Sequence, residues 1–112
     1  MSEKIVSLGV TDVDEVLAEL EREFSMQNVP TLLRLRAAML TEELFSAVQA
    51  LHDEGGMLRC TFPAPKTMLL QFRNKQGALK PDLRMVARLA NNPCTEGVEV
   101  TFHEGSCTIK AK

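Results

Sequence analysis

Met57-Leu58-Arg59-Cys60-Thr61-Phe62-Pro63-Ala64-Pro65-Lys66-Thr67-Met68-Leu69-Leu70-Gln71-Phe72-Arg73 is the stretch on which the fold turns. Leu58, Cys60 and Phe62 alternate with Arg59 and Thr61, and Met68, Leu70 and Phe72 alternate with Gln71 and Arg73. A period of two sends successive side chains to opposite faces, so each run reads as a strand with one apolar side. Pro63-Ala64-Pro65 closes the first strand and makes the second its hairpin partner.

Upstream the period is helical. Leu32, Leu35, Met39, Phe45 and Val48 form a stripe that persists to His52, broad enough for a helix packed deep in the domain. Pro30-Thr31 starts it, and Asp53-Glu54-Gly55-Gly56 stops it. Before it, Val13, Val16, Leu17, Leu20 and Phe24 predict a first amphipathic helix that reaches about Met26. Thr11 or Asp12 offers its N-cap, and Asp14 and Glu15 sit in the first turn, where the helix dipole favours negative charge. Glu19, Glu21, Arg22 and Glu23 make its outer face. A short β-like run, Ile5-Val6-Ser7-Leu8, precedes it and ends at Gly9.

Downstream, Asn74-Lys75-Gln76-Gly77 reads as a turn, and Pro81-Asp82 opens a third helix over 83–90 that Asn91-Asn92-Pro93 stops. Val98, Val100 and Phe102 then face Cys107, Ile109 and Ala111 across His103-Glu104-Gly105-Ser106, a second hairpin. The order is β-α-α-β-β-α-β-β. Hairpins with helices gathered on one face predict an α+β domain, a two-layer α/β sandwich on a mixed, mostly antiparallel sheet.

With 112 residues the chain supports one domain with a single core. A net charge of -2, with 13 basic and 15 acidic residues spread along the chain, argues against a nucleic-acid binder. No apolar run approaches the roughly 18 residues of a membrane span, and Met1-Ser2-Glu3-Lys4 does not open a secretory signal, so a cytoplasmic location is expected. Cys60, Cys94 and Cys107 are odd in number and form no C-x-x-C pair, which speaks against a disulfide framework or a zinc site. They read as small apolar fillers.

Phosphate-cradling glycine motifs are absent. His52 and His103 fall at element boundaries and read as exposed. Arg34 and Arg36 read as part of a solvated face. One polar pair stands out: Glu42 and Ser46, four residues apart on the second helix beside Leu44, Phe45 and Val48. Its residue types suit a general base and a hydroxyl ligand to a metal-bound water or phosphate. The bland reading is the edge where a helix passes from core to solvent.

The element order and Glu42-Glu43-Leu44-Phe45-Ser46-Ala47-Val48 together resemble the GHKL ATPase domain of histidine kinases, in particular its compact anti-sigma-factor serine kinase branch. The resemblance covers nearly the whole chain. It places Ser46 at the asparagine of the family's E-x-x-x-N box, and Gln71-Phe72-Arg73-Asn74-Lys75-Gln76-Gly77-Ala78-Leu79 at the segment carrying D-x-G-x-G. Asn74 then stands for the adenine-reading aspartate, Gln76 and Ala78 for the glycines, and Gly77 restores one glycine only by a one-residue shift. Serine is a poorer magnesium ligand than asparagine, and a neutral Asn74 accepts hydrogen bonds more weakly than an anion. Leu79-Lys80-Pro81-Asp82 is too short for the family's ATP lid.

The resemblance therefore implies the scaffold without the chemistry: a degenerate, non-catalytic domain with no cofactor and no metal, binding a protein in bacterial signalling or sigma-factor control. The alternative is a divergent ATP-binding serine kinase, with Glu42, Ser46, Asn74 and Gly77 holding the nucleotide. The first helices and a sheet edge are the surfaces the resemblance offers for a partner or a homodimer. The acidic first helix leads among them. The first strand is expected at the sheet edge adjoining the C-terminal hairpin.

Overall fold

The computed structural model describes residues 3–7, 13–51 and 55–112. Strand β1 (Glu3–Ser7) is followed by helices α1 (Val13–Met26) and α2 (Thr31–Gln49), then strands β2 (Met57–Ala64) and β3 (Thr67–Asn74). A two-residue strand β4 (Gly77–Ala78) leads to helix α3 (Arg84–Ala90), a single 3-10 turn (Pro93–Thr95), and strands β5 (Val98–His103) and β6 (Ser106–Ala111). The expected caps and stops at Leu8, Gly9, Thr11, Asp12, His52, Asp53 and Glu54 lie outside the described residues.

The strands form one sheet in the order β1-β2-β3-β6-β5, with β4 beside the end of β3. Every pairing is antiparallel, so the expected mixed sheet is corrected. β5 runs in the same sense as β3, but β6 lies between them, so no parallel pair forms. The first strand is corrected too: β1 lies on β2, at the edge away from the C-terminal hairpin. That hairpin joins the sheet through β6 on β3, which leaves the outer side of β2 open to β1. β4 has no signature in the sequence, because two residues are too few to show a period.

One face of the sheet is covered. Leu58, Cys60, Phe62, Met68, Leu70, Phe72, Cys107, Ile109 and Ala111 are buried in one cluster with the helices' Val16, Leu20, Phe24, Leu40, Leu44, Phe45 and Val86. Phe24 meets Phe62 edge to face, with ring centres 6.3 Å apart. Arg59, Arg73, Thr101 and Lys110, at the alternate positions, are exposed on the other face. That alternation makes the two-layer arrangement. Pro63 is accommodated by a register irregularity between Thr61 and Ala64, so β2 runs past the proline expected to close it.

The joint between α1 and α2 is closed by local chemistry. Asn28 takes φ +61°, Val29 N–H donates to Phe24 O at 2.9 Å, and Asn28 N–H donates to Ser25 O at 3.1 Å. These are the paired bonds of a Schellman stop, with the buried side chains of Phe24 and Val29 at the positions that make its hydrophobic contact. Asparagine tolerates the left-handed conformation better than most residues, yet glycine has no Cβ to strain there. Asn28→Gly is expected to stabilise the domain by about 0.5–1 kcal/mol, read as a higher urea midpoint with an unchanged m-value.

α2 packs against α1, α3, β5 and β6. Its buried face is Ala37, Leu40, Thr41, Leu44, Phe45 and Val48. The stripe expected from the sequence is thus only half correct: Phe45 and Val48 are core, but Leu32, Leu35 and Met39 are 56%, 60% and 43% exposed. Thr41 is buried because its hydroxyl donates to Ala37 O at 2.8 Å, so no polar atom is left unpaired. This face is apolar along most of the helix, whereas burying the opposite one would also bury Glu42 and Ser46.

Candidate functional site

The outer face of α2 is built by helix geometry. Leu32, Leu35, Met39, Glu42 and Ser46 follow at spacings of three and four, on the side opposite Leu40, Thr41, Leu44 and Val48. The N-terminal half of this face is apolar and its C-terminal half carries Glu42 and Ser46, both exposed. The polar pair singled out from the sequence does share a face. It is the face turned away from the sheet.

Asn74 and Gly77 are brought together as the paired ends of the β3–β4 turn. Asn74 Oδ1 accepts from Gln76 N–H at 2.9 Å, the local bond by which asparagine stabilises a turn. Gly77 supplies φ +129°, and nothing lies within 4 Å of where a Cβ would stand, so conformation rather than space is what its position requires. Turn chemistry accounts for both residues. Glu42 and Ser46 project from the side of α2 opposite the layer that holds this turn. Five residues, 79–83, connect β4 to α3.

The charges around the helices are largely spent on one another. Arg22 lies 2.7 Å from Glu19, whose carboxylate raises the guanidinium's pKa through a hydrogen bond and its charge. Arg34 is the residue whose role is least visible in the sequence. Its Nε donates to Glu21 at 2.9 Å, its Nη1 to Val29 O at 2.7 Å and its Nη2 to Thr31 Oγ1 at 3.2 Å. It ties α1, the connection and α2 together instead of standing on a solvated face. Arg36 Nη1 donates to Glu96 O at 2.5 Å, which holds the segment after the 3-10 turn against α2. No sequence signal marks either contact, because Arg36 and Glu96 meet only through the fold. Before α3, Asp82 accepts from Arg84 Nε at 2.9 Å, and that hydrogen bond holds its carboxyl down at about 2.

Cysteine roles divide. Cys60 and Cys107 are buried on either side of Leu70, each register-paired with it from its own strand. Burial pushes both thiols up to about 12. Cys94 is exposed in the 3-10 turn, so the filler reading is corrected for it. Because the thiolate is the reactive form, an aromatic disulfide reagent is expected to titrate Cys94 rapidly in the native protein. Cys60 and Cys107 should react only after denaturant is added, as a slow second phase in absorbance. Among the described residues no cluster of three or more His, Cys, Asp or Glu is placed to hold a metal ion. None of their helices is long and apolar enough to cross a membrane. His103 lies exposed at the β5–β6 turn, as expected.

A separate groove of about 510 Å³ runs between α3 and β5, lined by Ala87, Ala90, Asn91, Val98, Val100 and Phe102, with Lys112 at one end. It contains none of the candidate site residues read from the sequence. No protein-family model matches the chain, and no curated protein matches it.

Proposed function

We propose that this chain is a non-catalytic protein-binding domain, and that the outer face of α2 is where its partner docks. One observation carries the reading: α2 is apolar on two sides, and Leu32, Leu35 and Met39 form a contiguous exposed stripe on the side away from the core. An exposed apolar stripe on a rigid central helix, bordered by polar residues, has the character of a protein-interaction surface. Glu42 and Glu43 border it, so the complementary surface is apolar with a basic rim. Bacterial signalling or sigma-factor control is the setting that the histidine-kinase-like resemblance supplies.

The first helix is a weaker candidate than its acidity suggests. Arg22 and Arg34 already engage Glu19 and Glu21. The divergent-kinase reading gains little from the geometry, since Asn74 is used by its own turn and Glu42 and Ser46 face away from the sheet.

NMR titration with ATP and magnesium to millimolar concentration separates the two readings. The binding reading expects amide shifts at Glu42, Ser46 and Asn74 to stay within noise. Saturable shifts centred on those residues would overturn it in favour of a nucleotide site. Affinity capture with the native chain, in parallel with Leu35→Glu, is expected to give a partner that the variant loses while its folded spectrum is kept.

A further inference from the structure

The outer edge of β5 has the features of a pairing template, and we infer that it joins a second copy of the chain through antiparallel β5–β5 pairing. This surface is distinct from the α2 stripe and does not depend on its role.

The register decides which backbone groups are free. Lys112 N–H donates to Gly97 O at 2.9 Å, in line with the β5–β6 register that pairs Glu99 with Lys110 and Thr101 with Thr108. Alternation along an antiparallel ladder then turns the backbone of Glu99, Thr101 and His103 toward β6. Val98, Val100 and Phe102 turn their N–H and C=O groups outward, and among the described residues no strand pairs with that edge. Their side chains, in the same alternation, lie on the helix side of the sheet: Val98 is buried, Val100 and Phe102 half-buried. Edge strands that stay alone are guarded by shortness, charged side chains, proline, a bulge or a covering segment. β5 has six residues with no proline, lysine or bulge, and its one carboxylate, Glu99, lies 3.6 Å from Lys112.

The occupant is argued from the strand's own sequence. The groove beside the edge is walled by the small side chains of Ala87 and Ala90, which leave room for the helix-side residues of an added strand, and its polar lining suits main-chain pairing along that edge. Val98-Glu99-Val100-Thr101-Phe102 is itself such a strand. A two-fold axis at Val100 sets Val100 opposite the partner's Val100 and Val98 opposite the partner's Phe102, with outward backbone groups facing each other in every one of these pairs. On the open face it sets Glu99 opposite the partner's Thr101, so no like charges meet within β5.

The test uses the full chain in analytical ultracentrifugation over a concentration series, with native amide exchange. A dimer is expected, with exchange at Val98, Val100 and Phe102 slowing as it forms. Val100→Pro removes an outward donor while leaving the bonds to β6 intact, and should abolish the dimer. Thr101→Glu creates two like-charge pairs by symmetry and should weaken dimerisation about 5- to 30-fold, whereas Thr101→Lys should retain or strengthen it. Thr101 is exposed, so the charge variants leave the fold in place. A strict monomer at high concentration would overturn the inference. So would a dimer that ignores Val100→Pro and the Thr101 pair, or one lost only on Leu35→Glu.

Discussion

Phe72→Ala is expected to cost about 3–5 kcal/mol, the range for truncating a buried aromatic. Phe72 is 1% exposed on β3, a strand with neighbours on both sides. It stands opposite Leu58 in the β2–β3 register. Its N–H donates to Gly105 O at 2.9 Å and its C=O accepts from Leu79 N–H at 3.0 Å. The substitution leaves those main-chain bonds intact and removes only the ring, so the loss reads as transfer free energy plus cavity. For a domain of this size it corresponds to a fall in Tm of roughly 15–25 °C. Calorimetry checks it. A fall of only a few degrees would mean that the helix layer collapses into the space.

Gly105→Ala is expected to cost about 2–4 kcal/mol by two separable mechanisms. Gly105 has φ +70°, where a Cβ is strained, and that Cβ would lie 2.5 Å from the Cβ of Ala78. Neither of those atoms sits at the far end of a flexible chain, so the β5–β6 turn or the β3–β4 turn must shift. Ala78→Gly removes the obstructing methyl. In the double variant Gly105→Ala/Ala78→Gly the larger steric part should be recovered, while the Ala78 Cα still stands 3.3 Å away and about 1–2 kcal/mol of conformational strain should remain. If the two substitutions are simply additive in urea unfolding, the turns do not press on each other as the structure shows.

The same contact illustrates what a linear reading misses. The hairpin turn at 103–106 is legible, because Glu104-Gly105 lies between two alternating runs. That the turn rests on Ala78 is not, because β4 is two residues long and has no pattern of its own. The Asn74 turn behaves in the opposite way. The turn itself is legible from its residue types, and the bond from Gln76 N–H to Asn74 Oδ1 then accounts for an asparagine that resemblance alone would assign to a nucleotide.

The candidate site shows the same division. Glu42 and Ser46 share a face because four residues span about one helical turn, and spacing suffices to say so. Which way that face points depends on which of α2's two apolar stripes is buried. Over a short window Leu32, Leu35 and Met39 look as apolar as Leu40, Leu44 and Phe45. The longer stripe is buried, because burying the other would also bury Glu42 and Ser46. Arg34 and Arg36 are unreadable for a related reason: their acceptors are a glutamate on α1 and main-chain carbonyls, whose positions exist only after the helices dock.

By itself the sequence determined the longer elements, though not β4: periods of 3.6 and 2, the proline between α1 and α2, and the two hairpins are local rules that the chain obeys within a few residues. Only the tertiary structure decided the strand order, the buried side of α2 and the open edge of β5. Those outcomes depend on which surfaces are buried against each other and which backbone groups are left without a neighbour. Packing and hydrogen-bond partnership act between segments far apart in the chain, so no local period encodes them.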